Sequence, residues 1–306
     1  MKARIIVSAL SLPLVTVLSL AGCASSPSQT AGTSASSPIS VVASTNVYGS
    51  IAQSIGGSAV TVTSIMSDPA QDPHSFEASV QNQLELSKAN VVIENGGGYD
   101  PFVGTMLASA KNTSATVLDA VALSGLKPDA SGDLNEHVWY NFPVMKTVAD
   151  KLVATLSKID PTKASTFQAN ATAFEARLTT LEAQEAALKA KFAGVGASIT
   201  EPVPVYMLDA IGLVDKTPAA FSKAIEDGTD VSPTVLQETL ALYSGHTVKL
   251  LAYNEQTSGP QTDAVIAAAK SAGIPVVPVT ETLPSGKNYI SWMTSNLDAI
   301  AHALGA

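Results

Sequence analysis

The 306-residue chain has a single cysteine, Cys23, and only four histidines. One cysteine cannot form a disulfide within the chain, so stability has to come from packing alone. Charged residues are scarce at 14%, and the net charge is −9. An acidic balance argues against nucleic acid or an anionic membrane surface as partner. It is compatible with handling a cation. The sequence contains no H-E-x-x-H, no G-x-S-x-G and no Gly-Lys-Ser/Thr. Those absences remove the common helical zinc-protease, nucleophile-elbow and phosphate-loop chemistries. Hydrophobic residues make up 46%, ample for one or two globular domains with real cores.

The amino terminus carries Lys2 and Arg4, an apolar run over 5–20, and then Leu20-Ala21-Gly22-Cys23. A basic start, an apolar middle and small residues before a cut make a secretory signal over 1–22. The run is too short and too early for a convincing membrane span. Residues 24–38 hold no large apolar side chain, so 23–38 reads as an anchor residue and a flexible tether. Fifteen such residues reach roughly 20–23 Å.

The organising stretch is 161–192, which holds no glycine and no further proline after Pro161. It is rich in Ala, Leu, Glu, Lys and Gln, the strong helix formers. Phe167, Ala171, Phe174, Leu178, Leu181, Leu188 and Phe192 fall on one helical face, with Glu185 the only break. Asp160-Pro161 supplies a cap and first turn. At about 1.5 Å per residue the helix is roughly 45 Å long, enough to span a body of this size.

On its amino side, short β-branched runs at 40–43, 60–65, 90–93 and 116–118 alternate with helical segments at 47–55, 80–88 and 102–110. A helix opens at Pro143 and runs to 156. On its carboxy side, strands are expected at 195–200, 248–253 and 276–279, and helices at 218–226, 233–243, 262–272 and 289–304. Residues 203–207 alternate like a strand, yet Pro202 could equally start a helix. No internal repeat stands out. Alternation of strand and helix implies parallel sheets. The expected fold is therefore α/β, with two lobes (39–142 and 194–306), each a parallel sheet flanked by helices. One long rigid helix within 143–193 joins them. Ligands of open parallel sheets sit beyond the carboxyl ends of the strands.

His74 lies in the turn-rich loop Asp68-Pro-Ala-Gln-Asp72-Pro-His-Ser-Phe-Glu77 directly after a strand. Asp72 or Glu77 could accept its second ring N–H, as metal-bound histidines require; an exposed loop histidine is the bland alternative. His137 sits in Asn135-Glu-His-Val-Trp139-Tyr140, where simple packing on Trp139 explains it equally well. His246 follows Ser244-Gly245 at a helix end and reads as structural. His302 reads as solvated. Two carboxylates close strands in the second lobe, Glu201 after Ala197-Ser-Ile-Thr and Glu281 after Val277-Pro-Val-Thr. Glu255, after Leu250-Leu-Ala-Tyr-Asn, is the rival at a third strand end. Asn95-Gly-Gly-Gly98 reads as a tight turn, since no phosphate-binding continuation follows.

Taken in order, Asp72-Pro-His-Ser-Phe-Glu77, Asn95-Gly-Gly-Gly98, His137-Val-Trp139 and Tyr289-Ile-Ser-Trp-Met-Thr-Ser-Asn-Leu-Asp298 resemble the metal-binding lipoproteins of bacterial ABC transporters for zinc and manganese. The resemblance runs from about residue 39 to 304. It implies one divalent cation held in the cleft by four side chains, two from each lobe: His74, His137, Glu201 and Glu281. Leu20-Ala-Gly-Cys23 resembles the lipobox of such proteins, which implies cleavage before Cys23, a lipid on its thiol and a place outside the cytoplasmic membrane. A permease and an ATPase would be the partners, on other chains, and the receptor would be a monomer and not an enzyme.

The chain departs from the zinc-type members in carrying Glu201 where they have a third histidine. It has no histidine within 129–136, Asn141 in place of an Asp, and Glu281 in place of an Asp. Two neutral imidazoles and two carboxylates neutralise a divalent ion, whereas three histidines and one acid would leave a buried positive charge. More oxygen ligands suit harder ions, so Mn²⁺ or Fe²⁺ is favoured over Zn²⁺ as cargo. The rival functions are a lipoprotein adhesin, a metal-dependent hydrolase and a receptor of the same shape for a metal chelate or small organic ligand, its pocket lined by Trp139, Tyr140 and Phe142.

Overall fold

The computed structural model describes residues 37–69, 76–128 and 134–306. The expected signal, Cys23 and almost all of the tether lie outside the described residues, and so does His74.

The amino-terminal lobe is built on β1 (Ile39–Thr45), β2 (Val60–Met66), β3 (Val91–Glu94) and β4 (Thr116–Asp119). These pair in the order β2-β1-β3-β4, every pair parallel. Its helices are α1 (Asn46–Gly56), α2 (Val80–Lys88), α3 (Phe102–Ala110) and α4 (Ala120–Ser124). Val41 and Ala43 on β1 face one apolar layer and Val42 the other, and all three are buried. Burial on both faces is what parallel strands covered by crossover helices require.

Two linking helices follow, α5 (Phe142–Ile159) and α6 (Ala164–Phe192). Asn141 caps α5 by accepting from the Val144 N–H at 3.2 Å, and Pro143 occupies the first turn, where no amide hydrogen is needed. The long helix starts three residues later than the sequence suggests. Asp160 accepts from Thr162 N at 3.0 Å and caps a 3₁₀ turn over Pro161–Lys163, from which α6 continues. Phe167, Ala171, Phe174, Leu178, Leu181 and Leu188 are buried as their spacing predicts. Glu185, the break in the stripe, is buried with them.

The carboxy-terminal lobe repeats the first in topology: β5 (Gly196–Ile199), β6 (Val214–Asp215), β7 (Leu251–Asn254) and β8 (Val276–Val279) pair as β6-β5-β7-β8, all parallel. Its helices are α7 (Val205–Ile211), α8 (Ala219–Glu226), α9 (Pro233–Ser244), α10 (Pro260–Ser271) and α11 (Tyr289–Leu304). The segment left open at 203–207 becomes the start of α7. Pro204 precedes it, Leu208 N bonds back to Pro204 O at 3.0 Å, and Gly212 ends it at φ 79°. The two-residue edge strand β6 carries no sequence signal because Val214 and Asp215 are exposed.

The two sheets share one continuous core. Val41 and Tyr48 from the first lobe, Leu152, Phe167 and Leu178 from the linking helices, and Ile199, Val279 and Trp292 from the second lobe all belong to it. Side chains also bond across the seam. Asn46 donates to Leu283 O at 3.1 Å and accepts from Leu283 N at 2.8 Å, and Tyr140 Oη donates to Thr280 O at 2.9 Å. A shared core with such cross-links resists wide hinge opening.

Candidate metal centre

Because β7 lies between β5 and β8, the residues just past those three strands come to lie side by side. Glu201 follows β5 by two residues, Asn254 ends β7 and Glu281 follows β8 by two. Asn254 Nδ2 donates to Glu201 Oε2 at 2.5 Å and to Glu281 Oε1 at 2.7 Å. One neutral amide therefore joins two buried carboxylates. Glu255 points the other way: it is exposed, and its Oε1 accepts from the Tyr253 hydroxyl at 3.2 Å. Successive side chains of a strand face opposite sides, so a buried Asn254 places Glu255 in solvent.

The amino-terminal lobe meets these acids with His137. Its ring is fully buried, and Nε2 lies 3.7 Å from Glu281 Oε2. Nδ1 is 2.7 Å from Asn135 Oδ1, a pure acceptor. Nδ1 thus carries the hydrogen, which directs the Nε2 lone pair at the acids. Asn135 is in turn fixed from the other lobe: its Nδ2 donates to Pro202 O at 2.9 Å, and Tyr206 Oη donates to its carbonyl at 2.7 Å. Packing on Trp139 also holds, with ring centroids 5.1 Å apart. The two readings of His137 are compatible.

The glycine run ahead of it is a brace and not a cradle. Asp100 accepts from Asn95 N at 2.6 Å and Gly96 N at 2.8 Å. Asn95 Nδ2 then donates to Glu136 O at 3.0 Å, next to His137. Gly96 sits at φ 75°, and a Cβ there would lie 2.2 Å from Asp119 Oδ1, so only glycine fits.

Electrostatics mark the same place. Burial, and then the charge of Glu281, push the Glu201 carboxyl up to about 7 against the hydrogen bonds from Asn254 and Thr257. Burial would lower the His137 imidazole, but the nearby Glu281 carboxylate and the charges of Glu226 and Glu136 overcome that and hold it above its ordinary value. Burial and Glu281 push the Tyr99 phenol well up as well. Two acids this deep are costly without a counter-charge. Among the described residues, Glu201 Oε1 is buried with no hydrogen-bond partner. The donor set therefore suits a cation that takes oxygen and imidazole ligands.

His137, Glu201 and Glu281 are thus brought together, and His74 lies outside the described residues. Among those residues no three His, Cys, Asp or Glu side chains are drawn in tightly enough to form a cage around one metal ion. His302 is exposed, as its context predicts, and His246 is exposed as well. Asn254, Asn135 and Tyr99 escaped the sequence reading. An asparagine at a strand end carries no signal by itself, and each of the three acquires its place only through strand order or loop packing.

Residues 41–303 match the family model described as zinc-uptake complex component A, periplasmic. The manganese-binding lipoprotein MntA of Bacillus subtilis is 32% identical over 160 residues, 51% of each chain. The manganese ABC transporter substrate-binding lipoprotein scaA of Streptococcus gordonii is 27% identical over 170 residues, 52% of this chain and 53% of its own. The chain thus spans about half the length of the curated relatives it matches. The solved periplasmic zinc-binding protein TroA of Treponema pallidum superposes with a TM-score of 0.74 over 88% of this chain and 99% of its own, at 18% identity. That likeness is one of fold.

Proposed function

The chain belongs to the family of periplasmic zinc-uptake complex A components, and from that premise we propose that it captures one divalent transition-metal ion between its lobes and delivers it to an ABC permease for import. His74 and His137 bind through neutral imidazole, and Glu201 and Glu281 through oxygen. The observation that carries this reading is the pair of buried carboxylates bridged by Asn254 and faced by His137 at 3.7 Å. The four ligands neutralise a 2+ ion, so the site can close without burying net charge. In the absence of the ion, protons take its place, consistent with the raised Glu201 and His137. Acidification therefore weakens binding, because protons compete for every ligand.

Asn254 occupies one oxygen of each acid and holds both oriented for the ion, the task that hydrogen-bonded partners perform for metal ligands. Two oxygen donors in place of one favour a harder ion, so Mn²⁺ or Fe²⁺ is preferred to Zn²⁺. The names of the manganese-binding relatives agree with that preference. The receptor acts as a monomer held outside the cytoplasmic membrane by lipid on Cys23, with permease and ATPase on separate chains, and it performs no catalysis. Among the described residues no helix is long and apolar enough to cross a membrane. The shared core implies release by small lobe rocking and local loop movement.

Elemental analysis of the purified chain with competition titrations of Mn²⁺, Fe²⁺ and Zn²⁺ tests the proposal. One equivalent of metal per chain, lost in His137→Ala, is the expected result. No bound metal, or an affinity indifferent to His137, would refute it.

A further inference from the structure

Residues of α5, α6 and α7 line an open cavity of about 320 Å³. Its walls include Tyr140 and Phe142, Glu182 and Glu185 from α6, and Tyr206 and Asp209 from α7. The carboxylates are unequal. Glu182 is paired with Lys146 Nζ at 2.5 Å, and Asp209 is exposed at the rim. Glu185 is 6% exposed, and among the described residues it has neither a hydrogen bond nor an ion pair.

A buried carboxylate with no partner costs several kcal/mol and is uncommon unless something neutralises it. The nearby helix end does not. Pro143 has no N–H, Val144 N is taken by the Asn141 side chain, and Met145 N by the Asn141 carbonyl. A cation entering through the cavity would supply that counter-charge.

We infer that this cavity is a binding site for an alkyl ammonium cation, with Glu185 as its buried counter-ion, Asp209 as its entry charge and Tyr206 and Phe142 as its apolar wall. Three features separate an ammonium from a metal ion. No three carboxylates here converge on one point closely enough to cage a metal. A volume of about 320 Å³ exceeds what a bare ion fills and lies at the small end of organic ligand sites, which run from about 300 Å³ upward. Aromatic faces beside acids are the usual surroundings of an ammonium group. Burial and the nearby Glu182 hold the Glu185 carboxyl up at about 8, so a proton stands in when the amine is absent. The same chemistry fits a free aliphatic amine or a lysine side chain reaching in from a partner protein.

Calorimetric titration of the metal-free, full-length chain with 1,4-diaminobutane and with N-acetyl-lysine methylamide distinguishes those sources, with n-butanol and Mg²⁺ as controls. Saturable one-to-one binding of at least one amine is expected, none of butanol, and a loss of at least tenfold in Glu185→Gln. Asp209→Asn, a rim change with no bearing on folding, weakens the same amine by a smaller factor. Binding of the diamine alone points to a free amine, and binding of the lysine analogue to a partner's side chain. Failure of both amines to bind, amine binding unchanged in both variants, or Mg²⁺ binding lost in Glu185→Gln would overturn the inference. Because no transition metal is present, none of these results depends on the proposed metal site.

Discussion

The two lobes have the same strand order, yet they furnish the candidate site in opposite ways. The carboxy-terminal lobe supplies Glu201 and Glu281 from positions just past neighbouring strands, with Asn254 between them. The hydrogen-bonded sheet itself sets that spacing. The amino-terminal lobe supplies His137 from a loop held by Asn135, Asn95 and the packed Trp139. A strand-borne acid pair is preformed, while a loop-borne imidazole depends on bonds that cross the seam. In the proposed cycle, the first lobe should therefore move and the second should stay.

The largest expected effect lies with the acids. Glu201→Ala and Glu281→Ala should each lower metal affinity at least tenfold, the scale on which disturbing a metal's surroundings is felt, as read by competition titration. Equal affinity in Glu281→Ala would break the claim that the second lobe provides half the ligands. Asn254→Ala tests preforming itself. It leaves two buried carboxylates without their shared donor and should destabilise the metal-free protein by about 1–3 kcal/mol. Urea unfolding with and without metal should show a smaller loss in the loaded form, since the ion then supplies the missing positive charge. A loss of the same size in both forms would make Asn254 merely structural.

Glu185→Gln on the helix between the lobes has a smaller and pH-dependent consequence. Its carboxyl is raised from 4.5 to about 8, first by burial and then by Glu182. The neighbouring titratable groups are Glu182 on the same helix, Asp209 and Tyr206 across the cavity, and Tyr289 on α11, whose phenol Glu185 helps to push up. A raised carboxyl favours the folded state fully below its ordinary value, and that advantage is lost as pH rises through about 8. The melting temperature of Glu185→Gln should therefore exceed that of the parent by roughly 2–4 °C near pH 9, and the gap should close toward pH 4. A gap independent of pH would show that the carboxyl is not ionising in place. The smallest effect is that of Glu255→Ala: the side chain is solvated, so stability should shift by no more than about 0.5 kcal/mol and affinity should not change.

Most of the fold can be read from the sequence because its signals are local. The runs at 60–65 and 276–279 are strands, and the stripe from Phe167 to Leu188 is the buried face of α6. Failures occur where the deciding contact is distant. Five alternating residues at 203–207 cannot choose between strand and helix, and Pro204 with Gly212 decides it. The common order of the two sheets is invisible as a sequence repeat because hydrogen bonding, not side-chain identity, defines it. In the site, Glu201 and Glu281 were legible as strand-end acids. The choice of Glu281 over Glu255 is a matter of which face of a strand each residue occupies, and the sequence does not give the phase until β7 is placed between its neighbours. Asn254 was not legible at all.

In the proposed site, imidazole nitrogen and carboxylate oxygen meet around one ion at the seam. X-ray absorption at the manganese edge of the loaded protein tests this directly. Two imidazole rings among the ligands are expected in the parent and one in His137→Ala, with the rest of the shell oxygen. An all-oxygen shell in the parent, or an imidazole count unchanged by His137→Ala, would contradict the proposed site.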